Sequence, residues 1–215
     1  MKKIKKALIS VSDKKDLKNL LKVLTKYKIE LISSGGTYKE IIKLKFKCLE
    51  VSEYTGSPEI LDGRVKTLHP KIHAGILSKR NNKSHNRDLK DNNFEKIDLV
   101  IVNFYPFEKT LEQTNNHLKI IENIDVGGPT MVRAAAKNYN DVAVITSSNQ
   151  YSELINEIEN NNGSTSINFR EKMSSQAFSE TAYYDAVISN YFSKIINNNF
   201  PKKKVIYGNL IEKLR

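Results

Sequence analysis

The feature that most constrains this chain is an alternation between short unbroken apolar runs and stretches of helical periodicity. Ala7-Leu8-Ile9-Ser10-Val11 stops at Ser12-Asp13, residues suited to cap a helix, and Leu17, Leu20, Leu21 and Leu24 then recur at helical spacing. Residues 29–33 read as a second strand, 38–44 as a helix and 48–51 as a third strand. Residues 98–103 and 141–146 are continuous apolar runs of the kind a parallel strand needs when both its faces are buried. Strands alternating with helices predict an α/β fold, a parallel sheet with right-handed crossovers and helices on its faces.

Past residue 150 the pattern turns helical. Residues 151–159 and 169–196 read as helices separated by a turn at 160–164. The longer helix is expected to turn Met173, Ala177, Phe178, Thr181, Ala182, Ile188, Tyr191 and Phe192 to one side. This divides the chain into a core at 1–147, a helical extension of the same domain at 148–199 and a linker at 200–215.

With 215 residues and 39% hydrophobic content, the chain can bury a sizeable core. Its single cysteine, Cys48, excludes a disulfide framework and a cysteine zinc site. No apolar run approaches the ~20 residues that span a bilayer, and the basic start has no signal-type apolar segment. These features predict a soluble, cytoplasmic protein without a membrane partner. The net charge of +11 suits an anionic partner. Because the lysines are scattered and not interleaved with aromatics, a nucleic acid is not the partner expected.

Ligands of parallel sheets bind beyond the carboxyl ends of the strands, so the segments following each strand hold the candidates. Ser12 and Lys14 follow the first strand. Ser34-Gly35-Gly36-Thr37 follows the second, with glycines that admit close backbone approach and hydroxyls ahead of a helix N-terminus, the makings of a phosphate cradle. An ordinary tight strand-to-helix turn has the same composition, and the P-loop spacing is absent. In Gly63-Arg64-Val65-Lys66-Thr67-Leu68-His69-Pro70, Arg64 offers a bidentate fork and Lys66 a point charge, on one side if the segment is extended. A solvated charge pair is the alternative. His69 and His73 have metal-pair spacing, but Pro70 interrupts the helix and no carboxylate stands between them, so supporting roles are expected and no metal.

Asp125-Val126-Gly127-Gly128-Pro129 is expected to open a helix with Pro129 at its first position. Asp125 then stands just ahead of the helix N-terminus, where its ionised form is favoured. Arg133 and Lys137 share a face, and Ala134-Ala135-Ala136 make a slim helix that can press on a sheet and leave Lys137 along a cleft. A capped helix carrying two exposed cations is the plainer reading.

Taken together and in order, Ser10-Val11-Ser12-Asp13-Lys14, Ser34-Gly35-Gly36-Thr37, residues 63–70, Asn103-Phe104-Tyr105-Pro106-Phe107 and residues 125–128 with 133–138 closely resemble the N-terminal inosine monophosphate (IMP) cyclohydrolase domain of bifunctional purine biosynthesis proteins. The likeness runs from about residue 7 to the end of the chain. It implies a methylglyoxal-synthase-like fold and an enzyme that closes the ring of 5-formamidoimidazole-4-carboxamide ribotide (FAICAR) to IMP with loss of water. It implies no metal or organic cofactor.

By the same resemblance, Ser12, Lys14, Ser34, Gly36, Thr37, Arg64, Lys66 and Thr67 are expected to hold the ribotide monophosphate, and Asn103 and Gly127 to contact the base. Asp125 is expected as the base taking the amide proton. Lys137, Lys66 and Tyr105 are candidates for the formyl oxygen. A 10-formyltetrahydrofolate-dependent transformylase domain follows this one in the family, and a homodimer is implied, much of whose contact there involves that second domain. A methylglyoxal synthase or a non-catalytic nucleotide-sensing module would share the fold; the Arg64–Pro70 and Asn103–Pro106 segments favour a nucleotide site over the former, and Asp125 with Lys137 goes beyond what the latter needs.

Overall fold

The computed structural model describes residues 1–198 and 200–208. Seven strands and ten α-helices follow in the order β1 (Lys2–Lys3), β2 (Lys6–Val11), α1 (Leu17–Lys26), β3 (Glu30–Ser33), α2 (Gly35–Lys43), β4 (Leu49–Glu50), α3 (Val51–Thr55), α4 (Pro70–Leu77), α5 (Lys83–Asp91), β5 (Leu99–Asn103), α6 (Phe107–Gln113), α7 (His117–Glu122), α8 (Gly127–Lys137), β6 (Ala143–Ile145), α9 (Tyr151–Asn160), β7 (Ser164–Thr165) and α10 (Ile167–Ile195) among the described residues. Five of the strands form one parallel sheet in the order β4-β3-β2-β5-β6.

From β2 the chain moves to β3 and β4 on one side, then crosses to β5 and β6 on the other. The topological switch therefore falls between β2 and β5, where parallel sheets open a crevice at their carboxyl ends. Ala7, Leu8 and Ile9 of β2 and Leu99 and Val100 of β5 are completely buried, which explains their unbroken apolar runs: helices cover both faces.

The runs predicted as strands all appear; β2 begins one residue earlier than expected, and the other four are trimmed by one or two residues at an end. Several local expectations shift. Ser12 and Asp13 do not cap α1, whose N-cap is Asp16 in the left-handed region at φ 57° with no side-chain cap bond. Asp13 instead accepts from the backbone of Lys15, making its own turn. The Gly-Gly pair after β3 is not a loop before the helix but the first turn of α2. Pro129 is the third residue of α8 rather than the first. The ribbon pairing β1 with β7 was not anticipated; it joins the chain start to the segment before α10.

The buried stripe of α10 is rotated from the expected one. Met173, Ala177, Thr181, Tyr184 and Val187 face the core, whereas Phe178 and Phe192 are 40% and 41% exposed. Buried residues of α9 and α10 belong to the same continuous core as the sheet. Ser174 Oγ donates to the carbonyl of Ala136 at 2.8 Å, which brings α10 directly against the alanine face of α8. Among the described residues, no helix is long and apolar enough to cross a membrane.

Of the expected linker at 200–215, residues 209–215 lie outside the described residues. The described part runs back along α10, with Asn190 Nδ2 donating to the Val205 carbonyl at 3.3 Å and Tyr207 edge-on to Tyr183 at 5.1 Å.

Candidate active site

The carboxyl ends of β2, β3 and β5 carry most of the predicted residues. The loop after β2 is tied to the end of β5 by one side chain: Asn103 Oδ1 accepts from the backbone of Ser12 at 2.6 Å and of Asp13 at 3.0 Å, and its Nδ2 donates to the Asp13 carbonyl. Ser12 Oγ donates within the same knot, to Asn103 Oδ1 and to the Phe104 carbonyl. Asn103 uses its amide oxygen to clamp the two loops, so it shapes the crevice and does not offer that oxygen to a base.

At the end of β3, Gly35 has φ +53°, a left-handed conformation that disfavours a side chain. Lys66 Nζ lies 3.6 Å from where a Cβ on Gly35 would stand, and Lys14 Nζ lies 4.0 Å from the corresponding position on Gly36. Two ammonium groups thus converge on the first turn of α2, whose amides have no intrahelical partners and whose dipole presents its positive end. Ser34, only 6% exposed, holds a hydroxyl there without a hydrogen-bond partner among the described residues. A buried polar atom left unsatisfied beside two cations and a helix N-terminus fits an absent anion.

Thr37 behaves differently from the expectation. Its hydroxyl donates to the Val11 carbonyl and accepts from the Val11 amide, each at 2.9 Å, so it stitches α2 to β2 and leaves only its backbone N–H to the cradle. Arg64 is not in the cradle. It is largely exposed and forms a two-pronged ion pair with Glu122 of α7, its Nε 3.1 Å from Glu122 Oε1. The residue spacing that placed Arg64 beside Lys66 held no information about that competing carboxylate.

The second half of the site forms where the 63–70 segment meets α8. Buried Thr67 comes so close that its Oγ1 would lie 2.7 Å from a Cβ on Gly127. The Asp125 carboxylate folds back over the start of α8, accepting from the Gly128 amide at 2.8 Å; a side chain on Gly128 would collide with it. The Tyr105 backbone amide also donates to Asp125, and Lys66 lies near enough to act on it electrostatically. Burial pushes the Asp125 carboxyl above its ordinary value, and the two backbone hydrogen bonds and the Lys66 charge only partly offset it. Lys66 therefore lies between the cradle at α2 and the carboxylate at α8, with Glu59 Oε1 3.7 Å from its Nζ. The Tyr105 side chain stands at the mouth, 46% exposed.

Lys137 is not brought to this carboxylate. It is exposed at the last residue of the eleven-residue α8, and at ~1.5 Å per residue the helix separates it from the Asp125 end by about 15 Å, beyond a lysine's reach. The alanine run does press on the sheet as expected, with Ala135 and Ala136 in the core and Lys137 exposed. Arg133, on the same outer face, lies 5.8 Å from the Phe178 ring.

Sequence reasoning missed Tyr184. From the middle of α10 its hydroxyl accepts the Asp125 backbone N–H at 2.8 Å. The only signal available was its place three residues after Thr181 on a helix, which marks a core position. A cleft of about 610 Å³ opens beside these groups and is lined by Ser12, Asn103, Tyr105, Ser148, Tyr183 and Tyr184. A second cleft, at the opposite end of the sheet, holds cations already committed to carboxylates: Lys2 to Asp141 at 2.6 Å, Lys6 to Glu30 at 3.0 Å and Arg80 to Asp98 at 3.3 Å. His69 takes the supporting role: its Nδ1 accepts from the Lys71 amide and its Nε2 meets Ser57 Oγ, whereas His73 Nε2 is buried without a hydrogen-bond partner among the described residues. Burial holds His73 below its ordinary value.

Two family models match the chain: the MGS-like domain over residues 16–130, and the AICARFT/IMPCHase bienzyme over residues 135–215. Among curated proteins, bifunctional purine biosynthesis proteins PurH are similar along nearly the whole chain. That of Bradyrhizobium diazoefficiens is 45% identical over 213 residues, covering 99% of this chain and 40% of the relative. That of Leptospira biflexa is 46% identical, covering 99% and 42% respectively. The Prochlorococcus marinus protein is 51% identical over 189 residues, 87% of this chain and 36% of the relative. The chain thus spans about two fifths of the length of these relatives. A crystal structure of ForH superposes with a TM-score of 0.78 at 28% identity, covering 88% of this chain and 99% of that one.

Proposed function

Since the chain belongs to the MGS-like domain family and continues into a match to the AICARFT/IMPCHase bienzyme, we propose that it is an IMP cyclohydrolase acting on FAICAR. The observation that carries this reading is the position of Lys66 between two complementary halves, an anion cradle at α2 and a buried carboxylate at α8. A ribotide has a dianionic phosphate at one end and a reacting base at the other, and this spacing suits it.

The cradle of Lys14, Lys66, Ser34 and the first amides of α2 takes the phosphate. Asp125 takes the proton from the carboxamide nitrogen as that nitrogen bonds to the formyl carbon, and its raised affinity for a proton suits a general base working near neutral pH. The formyl oxygen gains negative charge beside the Lys66 ammonium and is protonated at the mouth, where the Tyr105 hydroxyl stands; the C–O bond then breaks as the formamido nitrogen gives up its own proton and a C=N bond forms, so that one water leaves with a proton from each nitrogen. Nucleophile and electrophile belong to one molecule, so holding them in contact supplies much of the acceleration. The chain's place as the N-terminal part of a bifunctional protein with a formyl-transferring domain belongs to the same proposal, as does a homodimer.

Absorbance at the wavelength where IMP and FAICAR differ, followed with wild type and Asp125→Asn, tests it. Turnover in the wild type, with a loss of about a hundredfold or more in Asp125→Asn while IMP still binds, supports the assignment. A folded wild type that binds IMP without turnover would replace it with a sensing module.

A further inference from the structure

Three elements meet at Asp125, and the third has no place in the chemistry described so far. The carboxylate is held by the amides of Gly128 and Tyr105, but its main chain is held by Tyr184 of α10, whose hydroxyl lies 2.8 Å from the Asp125 nitrogen. The same hydroxyl faces the Asn123 carbonyl at 3.5 Å, so it spans the loop joining α7 to α8. Its ring, 7% exposed, packs 5.0 Å from the Phe104 ring and 6.3 Å from that of Phe107, on either side of Tyr105. Burial pushes the Tyr184 phenol up to about 12, so the hydroxyl stays protonated at working pH.

We propose that Tyr184 is a positioning residue for Asp125, fixing the 123–126 loop and the Phe104–Phe107 segment as one unit so that the carboxylate stands where the proton is removed. The inference rests on the cyclohydrolase reading. Tyr184 lies outside the stretch that matches the MGS-like domain and inside the stretch that matches the bienzyme. The C-terminal helix therefore does more than cover the sheet. It supplies the anchor that adapts a general phosphate-binding core to a proton transfer. Misplacing a base by an ångström costs on the order of a hundredfold in rate, whereas among the described residues no hydrogen bond or ring contact joins Tyr184 to Lys14, Ser34, Lys66 or α2 of the phosphate cradle.

Tyr184→Phe keeps the ring and removes the hydroxyl. The expected result is a ten- to hundredfold loss in kcat, with KM for FAICAR within about twofold and the melting temperature near wild type. In an Asp125→Asn background the same change should cost nothing further, because the group it positions is already disabled. An equal loss in both backgrounds, or a rise in KM with a fall in both kcat and melting temperature, would overturn positioning in favour of packing. Amide hydrogen exchange at Asp125 reads the anchor without turnover: it should accelerate in Tyr184→Phe. If the wild type proves inactive, the cyclohydrolase reading falls, and retained protection of that amide would overturn the anchor as well, while its loss would uphold the anchor alone.

Discussion

A buried hydroxyl with nothing to bond costs the free protein about 1–3 kcal/mol, and Ser34 Oγ is such a group at the mouth of the cradle. Ser34→Ala should leave the melting temperature unchanged or raised without ligand, yet weaken binding of a nucleoside monophosphate about tenfold in a calorimetric titration. Unchanged affinity would remove Ser34 from the cradle. Asp125 makes the same trade through charge. Folding raises its proton affinity above that of an unstructured aspartate, whose value is 3.8, so the stability it contributes is complete below that value and is lost as pH rises through the raised one. Asp125→Asn should therefore be more stable than wild type at pH 7.5, by a margin that shrinks at pH 4 in parallel denaturant titrations, while losing turnover. At this scale the residue types were legible and their partners were not. Lys14, Lys66, Thr67 and Asp125 stand at the site; Arg64 was diverted by Glu122 and Thr37 by the Val11 backbone. Both diversions depend on groups distant in sequence, which motif spacing does not contain.

Among the elements, the end of α4 is joined to the start of β5 by one buried cation. Arg80 donates to the carbonyls of Gly75 and Ser78 at 3.1 and 2.8 Å and to Asp98 at 3.3 Å, and its own amide donates to Asp141. Arg80→Met should cost about 1–3 kcal/mol, since it takes their donor from the Ile97 carbonyl and Asp98 Oδ1, while the Gly75 and Ser78 carbonyls and Asp98 Oδ2 keep other partners. A loss under 1 kcal/mol in urea denaturation would show water replacing the guanidinium. α8 is the other element whose geometry shapes the candidate site. Its alanines let α10 approach to hydrogen-bonding distance of the Ala136 carbonyl, and its length sets Asp125 and Lys137 apart. The sequence displays both residues around one helix, but only a count of helical turns reveals that they occupy opposite ends.

For the molecule as a whole, the helical extension and the parallel sheet share one core. Phe169, Met173, Ala177, Tyr184 and Val187 are buried together with residues of β5 and β6, and burying an apolar side chain of this size contributes about 1.5–3 kcal/mol. A chain ended at Ser147 should lose its cooperative unfolding transition and bind a hydrophobic dye, whereas the full chain should unfold in a single step. A sharp transition in the shorter chain would make residues 1–147 an independent unit. The described part of the C-terminal segment lies along α10, with Tyr207 against Tyr183, next to the residue that anchors Asp125.

Local pattern alone determined the class of fold, because a strand buried on both faces must be apolar throughout and a covering helix must be apolar on one stripe. It also placed the candidate site residues after the strands, since parallel strands all release their loops at one edge. Tertiary structure alone decided which of those residues face the crevice, which are spent on tying loops together, and that Tyr184 belongs with Asp125. Those outcomes are competitions between partners brought close by folding, and a hydrogen bond or ion pair is won by whichever group the packing places nearest.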